Sequence, residues 1–128
     1  MRNVTPATYY TTMIVDDSPF MRNMLRTMVE ANGCKVVAEA NDGEEAIIEY
    51  SKKRPLIIFM DILMPNRSGI DATKQILSID KNAKVVMCSS LGHLDLIKAA
   101  LETGARDVVM KPYNINQLQE VLRRIMQF

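Results

Sequence analysis

The sequence predicts an α/β fold, a doubly wound sheet of five parallel strands flanked by five helices. The chain has 128 residues, 48% of them apolar, which suffices for one domain with its own core. Five strand-like runs are each followed by a segment with helical periodicity, the alternation typical of a parallel sheet between helix layers. The third run, residues 56–60, is apolar throughout, as expected for a strand that is covered on both faces.

The first strand and the first helix are marked at their ends. A β-branched and apolar run over residues 11–15 predicts the strand. Pro19 suits a first helical position, with Ser18 or Asp17 as the cap before it. Apolar residues then recur at helical spacing, and Gly33 supplies the stop signal. We therefore expect a helix directly after the first strand.

The same alternation repeats four more times, with no segment long enough to be a linker. The later strands are predicted at residues 36–38, 56–60, 84–88 and 107–110. The second helix is predicted to follow a turn at residues 41–43 and to end at about residue 53, and the later helices are predicted at about 71–79, 91–103 and 116–126. Residues 1–10 are expected to be a short leader, and residues 11–128 to form the domain.

Composition excludes several classes of protein. The longest apolar run has five residues, far short of the roughly 20 that span a membrane. The net charge of +1 lacks the basic excess typical of nucleic-acid binding. The sequence has only two cysteines, which lie far apart at Cys34 and Cys88, and this argues against a disulfide scaffold. It has a single histidine, His93, which argues against a Cys/His metal cluster and a His-dependent triad. Such sparse thiols fit a reducing compartment, so we expect a cytoplasmic protein.

Polar and charged residues follow the predicted strands. They are Asp16, Asp17, Asp61, Ser89, Ser90 and Lys111. Ligands of doubly wound sheets bind outside the carboxyl ends of the strands, so these six are expected along one edge. Carboxylates gathered there repel one another, which predicts a hard divalent cation, with Mg²⁺ as the first candidate. A carboxylate beside such a cation, with a hydroxyl and an ammonium nearby, is suited to phosphoryl transfer.

Asp61 is the candidate nucleophile, because it follows an apolar strand at a point where the chain must turn, so that its carboxylate leaves the core. The backbone carbonyl of Leu63 is a candidate metal ligand. Each residue alone has a simpler interpretation: an aspartate or a serine after a strand is often a cap, and Lys111 would be a solvated charge. Their joint placement favours a site. His93 is expected at the surface. Methionines on strands or apolar helix faces are interpreted as core residues: Met13, Met21, Met24, Met28, Met60, Met87 and Met110.

Four segments carry a family resemblance. They are IVDDS at 14–18, followed by Met21 and Arg22; MDILMP at 60–65, with Gly69; VVMCSS at 85–90; and DVVMKP at 107–112. In order and spacing they resemble the receiver domains of two-component response regulators, and within that family the single-domain chemotaxis regulators of the CheY type. The resemblance covers about residues 11–126 and implies a flavodoxin-like (CheY-like) fold.

The resemblance also implies an acceptor and a metal site. Asp61 would take a phosphoryl group from the phosphohistidine of a sensor kinase. Asp17, Asp61 and the Leu63 carbonyl would ligate Mg²⁺ directly, with Asp16 helping through water.

Further roles implied by the resemblance concern the phosphoryl group itself. The Ser89 hydroxyl would move to the acyl phosphate, and Lys111 would pair with it. Ser90 matches a position kept small so that the phosphoryl group can enter. The peptide before Pro112 is cis in that family, as suits an X–Pro bond.

The sequence departs from the family pattern at several positions. Val108 stands where the family usually has an aromatic residue, whose rotation reports phosphorylation to the face formed by helix 4, strand 5 and helix 5. Ser68 replaces an aspartate found in many members. Leu63 and Leu91 match positions that tune phosphoryl lifetime. Because two apolar side chains there would position water poorly, we expect slow self-dephosphorylation.

Three classes of function are weighed against one another. The first is a binding module that acts as a switch, in which phosphorylation of Asp61 exposes a docking face. With no output domain in the sequence, the output is expected from a partner, the flagellar motor switch in a chemotaxis role. The second is an Asp-nucleophile phosphatase, which would need an acid where Leu63 stands. A flavodoxin-like cofactor carrier is disfavoured, because Asp16 and Asp17 would repel a phosphate.

Within the switch class several roles stay open. A free-standing receiver domain could be a relay intermediate, a phosphate sink, or a regulator of sporulation, development or transcription through a separate protein. Neither direct nucleic-acid contact nor membrane association is expected.

Overall fold

The structure is a computed structural model that describes residues 10–90 and 92–126. It has one five-stranded parallel sheet in the order β2-β1-β3-β4-β5, with a helix after each strand. The strands are β1 (Tyr10–Val15), β2 (Cys34–Ala40), β3 (Ile57–Asp61), β4 (Lys84–Ser90) and β5 (Asp107–Lys111). The helices are α1 (Pro19–Glu30), α2 (Gly43–Lys53), α3 (Gly69–Ile79), α4 (Leu94–Thr103) and α5 (Ile115–Met126). The predicted fold class is confirmed.

Element boundaries differ from the predicted ones in places. β1 begins one residue earlier, at Tyr10, and the rest of the predicted leader lies outside the described residues. α3 begins two residues earlier, because the Ser68 hydroxyl caps it by accepting from the Asp71 N–H at 3.1 Å. α4 begins at Leu94 rather than at residue 91, since Gly92 has a φ of 96° that helical backbone does not adopt.

Local signals at the start of α1 have the predicted outcome. The Ser18 hydroxyl accepts from the Met21 N–H at 3.2 Å, and Pro19 occupies the first helical position.

The peptide between Lys111 and Pro112 is cis, as the family resemblance implies. Within the described residues, no helix is long and apolar enough to cross a membrane.

The core has two layers, one on each face of the sheet. All of β3 is buried, and its side chains alternate between the layers. Ile58 and Met60 face one layer, with residues of α2 and α3, and Ile57 and Phe59 face the other, with residues of α1 and α5. Burial on both faces explains why β3 is apolar throughout.

The cysteines and methionines contribute to this core. Cys34 and Cys88 are buried free thiols. Three of the predicted core methionines are fully buried, namely Met13, Met60 and Met87, whereas Met21, Met24, Met28 and Met110 are half-buried.

The sheet order determines where a site can form. The chain passes from β1 outward to β2 and then returns across β1 to β3, so the order reverses between β1 and β3. In doubly wound folds, ligands bind at such a switch point, outside the carboxyl ends of the strands. The residues that follow β1 and end β3 therefore occupy the favoured position.

Candidate functional site

Three aspartates converge at this switch point. Asp16 and Asp17 follow β1, and Asp61 ends the neighbouring β3, where Val15 pairs with Met60. One carboxylate oxygen of each aspartate lies within 4.8 Å of those of the other two. Asp16 and Asp61 are buried, at 3% and 8% exposure, whereas Asp17 is exposed. The structure thus brings together the carboxylates that the sequence placed at separate strand ends.

Lys111 reaches the same cluster from the end of β5. Its Nζ donates to Asp16 Oδ2 at 2.6 Å and lies 3.4 Å from Asp61 Oδ2. The other oxygen of Asp16 accepts from the Ser18 N–H at 2.9 Å. Lys111 is therefore a half-buried counterion for two carboxylates, and not the solvated loop charge that the residue alone would suggest.

The electrostatics of the site leave excess negative charge. Burial raises the pKa of Asp61 from 3.8 to about 6, and the charges of Asp16 and Asp17 add to this rise, while Lys111 opposes it. Burial lowers the pKa of Lys111, but the hydrogen bond with Asp16 and the charge of Asp61 outweigh burial and raise it overall. Near neutral pH one ammonium therefore faces a cluster of carboxylates.

This donor set fits a hard divalent cation. Asp16, Asp17 and Asp61 offer carboxylate oxygens only, and Mg²⁺ prefers oxygen ligands and keeps several waters. Two of the three aspartates are buried, so their mutual repulsion is weakly screened by solvent. A cation at this position would offset the repulsion that adds to the rise in the pKa of Asp61.

A cleft of about 180 Å³ opens beside Asp61. It is lined by Asp61, Ile62, Leu63, Ser89, Ser90, His93 and Lys111. The volume is several times the roughly 30 Å³ that one water occupies in the liquid, so a small anion fits with water around it. Ser89 is a buried residue of the cleft wall, and its hydroxyl donates to the Ser90 carbonyl at 3.1 Å.

His93 was expected at the surface, and the structure finds it partly exposed to solvent. It is half-buried, precedes the first residue of α4 and lines the cleft. Its side chain makes no capping hydrogen bond to the helix. No sequence signal indicated this placement, because it depends on the turn at Gly92, where the positive φ redirects the chain.

Gly69 allows the end of β3 to lie close to the start of α3. A Cβ at Gly69 would lie 2.0 Å from the Asp61 carbonyl oxygen, so no other residue fits without a backbone shift. The Gly69 N–H also donates to the Ile62 carbonyl at 2.9 Å, which closes the loop after β3. This loop carries Leu63, whose side chain is 51% exposed at the cleft.

The remaining positions from the sequence have mixed outcomes. Val108 is half-buried and packs against the core cluster that contains Met87, its pairing partner in β4. Ser90 is exposed at the end of β4. Leu91, the second position expected to tune phosphoryl lifetime, lies outside the described residues.

Comparisons with known proteins agree on one family. The family model of the response regulator receiver domain matches residues 12–123. The chemotaxis protein CheY of Thermotoga maritima is 41% identical over 113 residues, which are 88% of this chain and 94% of the relative. The chemotaxis protein CheY of Bacillus subtilis is 38% identical over 88% of this chain and 93% of its own. A solved structure of a CheX-CheY-BeF3-Mg complex from Borrelia burgdorferi superposes with a TM-score of 0.86, at 34% identity, and covers 91% of this chain and 89% of that one.

Proposed function

The chain belongs to the response regulator receiver domain family, and from this premise we propose that Asp61 accepts a phosphoryl group from the phosphohistidine of a sensor histidine kinase. Receiver domains act in signalling and are generally not enzymes. One observation supports the proposal most strongly. Asp61 is a buried carboxylate 3.4 Å from Lys111, at the mouth of a cleft that could admit a phosphoryl group.

The proposed transfer requires an ionised acceptor. An Asp61 oxygen would form a bond to phosphorus while the bond between phosphorus and the histidine nitrogen breaks, and the released imidazole would take a proton from solvent. With its pKa raised to about 6, Asp61 is mostly ionised at neutral pH. Lys111 would then pair with the transferred oxygens, the Ser89 hydroxyl would turn from the Ser90 carbonyl to donate to them, and Ser90 would leave space for them.

Asp16, Asp17, Asp61 and the Leu63 carbonyl are the groups proposed to hold Mg²⁺. Asp17 would be a direct ligand, and Asp16 would act through water, since its carboxylate already accepts from Ser18 and Lys111. When bound, Mg²⁺ would offset the negative charge that the incoming phosphoryl group adds to the site. This chain would supply the orientation of the carboxylates and the ammonium of Lys111.

The output proposed for this switch is altered binding of a partner. Phosphorylation would shift a pre-existing equilibrium and change the face formed by α4, β5 and α5. Val108 has no ring whose rotation could report the change, so the signal would travel through repacking of the cluster that Val108 joins. Relatives named for chemotaxis favour the flagellar motor switch as the partner, in the cytoplasm. A relay intermediate or a phosphate sink is the alternative.

Slow loss of the phosphoryl group is part of the proposal. The Leu63 side chain lines the cleft with half its surface exposed and offers no hydrogen bond to an attacking water. The same apolar residue stands where an Asp-nucleophile phosphatase would need an acid. Leu63→Asn is expected to shorten the half-life of the phosphorylated protein by severalfold, measured as loss of radiolabel after the donor is removed. An unchanged half-life would contradict this explanation.

Phosphoryl transfer itself tests the acceptor. The protein, Asp61→Asn and the control Asp95→Asn, an exposed aspartate in the first turn of α4, would each be incubated with a radiolabelled histidine kinase and Mg²⁺. We expect label on the wild type and on the control, none on Asp61→Asn, and no label when EDTA replaces Mg²⁺. Label retained by Asp61→Asn would refute the assignment.

The partner can be identified by capture with and without beryllofluoride and Mg²⁺. Stronger capture of purified flagellar switch protein in the presence of beryllofluoride is expected for a chemotaxis role. Capture of a histidine phosphotransfer protein instead would favour the relay alternative.

A further inference from the structure

Arg22 in α1 donates to the backbone carbonyl of Asp16, which with Asp17 forms the acidic loop after β1, and nothing in the proposed chemistry uses this contact. We propose that Arg22 is a positioning residue for the divalent cation, because it fixes the peptide that joins Asp16 to Asp17. The inference rests on the proposed cation site and adds the residue that orients part of it.

The Arg22 guanidinium has three strong acceptors in fixed directions. Nη1 donates to the Asp16 carbonyl at 2.6 Å and to Asn41 Oδ1 at 2.7 Å, and Nε donates to Glu39 Oε1 at 2.9 Å. The side chain is only 14% exposed. Because the guanidinium is planar, these three bonds together allow a single orientation. The acidic loop is thereby tied to β2, which carries Glu39, and to the turn after it.

This contact matters because of the peptide plane. The Asp16 carbonyl oxygen belongs to the same planar unit as the N–H and Cα of Asp17. The Asp16 N–H donates to the Ala40 carbonyl at 3.1 Å, and the Asp16 carboxylate accepts from the Ser18 N–H. Hydrogen bonds therefore fix both the backbone and the side chain of Asp16. The Asp17 side chain is exposed, and the direction of its carboxylate depends on the peptide plane that joins Asp16 to Asp17. By holding that plane, Arg22 sets where Asp17 meets the cation.

Arg26, one turn further along α1, supplies a matched control. It pairs with the same Glu39 carboxylate and, at 3.2 Å, with Glu30. Among the described residues, no hydrogen bond connects it to Asp16. The two arginines therefore share charge, helix and one partner, and differ in the contact with the acidic loop.

The experiment measures Mg²⁺ affinity by isothermal titration calorimetry for the wild type, Arg22→Gln, Arg22→Lys and Arg26→Gln. Loss of a residue that orients a metal ligand typically weakens binding 10- to 100-fold, so we expect Arg22→Gln to raise the Kd about tenfold. Lysine keeps the charge but not the planar fork, so Arg22→Lys should stay at least about threefold weaker than the wild type. Arg26→Gln should stay within about twofold of it.

A second measurement separates positioning from general stability. The free energy of unfolding in EDTA would be measured for all variants. A merely structural role would lower this free energy while the Kd of the folded protein stays unchanged. Should Arg22→Gln fail to fold, the more conservative Arg22→Lys decides alone.

Several results would overturn the inference: wild-type affinity in Arg22→Gln, full recovery in Arg22→Lys, or an equal loss in Arg26→Gln. A wild-type protein that binds no Mg²⁺ would instead overturn the proposed function, so the two failures are distinguishable.

Discussion

Neutralising Asp61 should stabilise the ion-free protein, and the gain should depend on pH. The carboxylate is buried between Asp16, Asp17 and Lys111, and its pKa rises from 3.8 to about 6. The folded protein therefore holds this proton more tightly than the unfolded chain. At about pH 3, well below both pKa values, the carboxyl is neutral in both states, and folding has no cost from its charge. Above about pH 6 it is ionised in both, and the folded state carries the full cost.

The magnitude follows from the same pKa. A rise from 3.8 to about 6, at about 1.4 kcal/mol for each pKa unit, corresponds to about 3 kcal/mol. Asp61→Asn keeps the shape and removes the charge, so it should raise the free energy of unfolding by up to about 3 kcal/mol at about pH 7.5. The gain should fall to near zero at about pH 3, because there the aspartate is neutral in both the folded and the unfolded protein.

Urea unfolding in EDTA, followed by far-ultraviolet circular dichroism, measures this difference across the pH range. The exposed Asp95→Asn is the control for loss of one negative charge, and its effect should be small at every pH. Saturating Mg²⁺ should narrow the gap, because a cation that binds only the folded wild type stabilises it. If Asp61→Asn were no more stable than the wild type at about pH 7.5, or if the gain did not change with pH, the electrostatic argument would fail.

Three further predictions follow from the site and the core. Gly69→Ala should lower the free energy of unfolding by about 3 kcal/mol in urea titrations, because the new Cβ would lie 2.0 Å from the Asp61 carbonyl oxygen. An unchanged urea midpoint would contradict this, since it would mean that the loop moves at little cost. Lys111→Gln should raise the pKa of Asp61 further, because the opposing ammonium is lost, and a carboxyl titration by NMR checks the direction. Burial raises the pKa of Cys34, and that of Cys88 to about 12, so both thiols should react with a chromogenic reagent only as fast as the protein unfolds; rapid reaction of the native protein would contradict their burial.

Local sequence signals determined the elements of this fold. The Pro19 and Ser18 signals, the apolar spacing of α1 and the fully apolar β3 each depend on neighbours within a few residues, and each has the predicted outcome. The expectation that carboxylates at the ends of parallel strands share one edge also followed, because all strands of such a sheet point the same way. Asp16, Asp17, Asp61 and Lys111 do meet there.

The tertiary structure decided how the side chains of the site are oriented and how far each is buried. Asp16 and Asp17 are adjacent and chemically identical, yet one is buried against Lys111 and the other is exposed. Only the packed loop makes them different. His93 enters the cleft because Gly92 turns the chain before α4.

Arg22 shows the same division between sequence and structure. Its place on α1 was evident from the helical spacing, whereas its three acceptors come from the residue after β1, from β2 and from the turn after β2. Contacts that join α1 to the loop after β1 and to β2 form only when the sheet assembles, and no local pattern encodes their geometry. The sequence by itself thus determined which groups reach the carboxyl edge of the sheet, and the tertiary structure decided how each is oriented, because orientation depends on packing between strands.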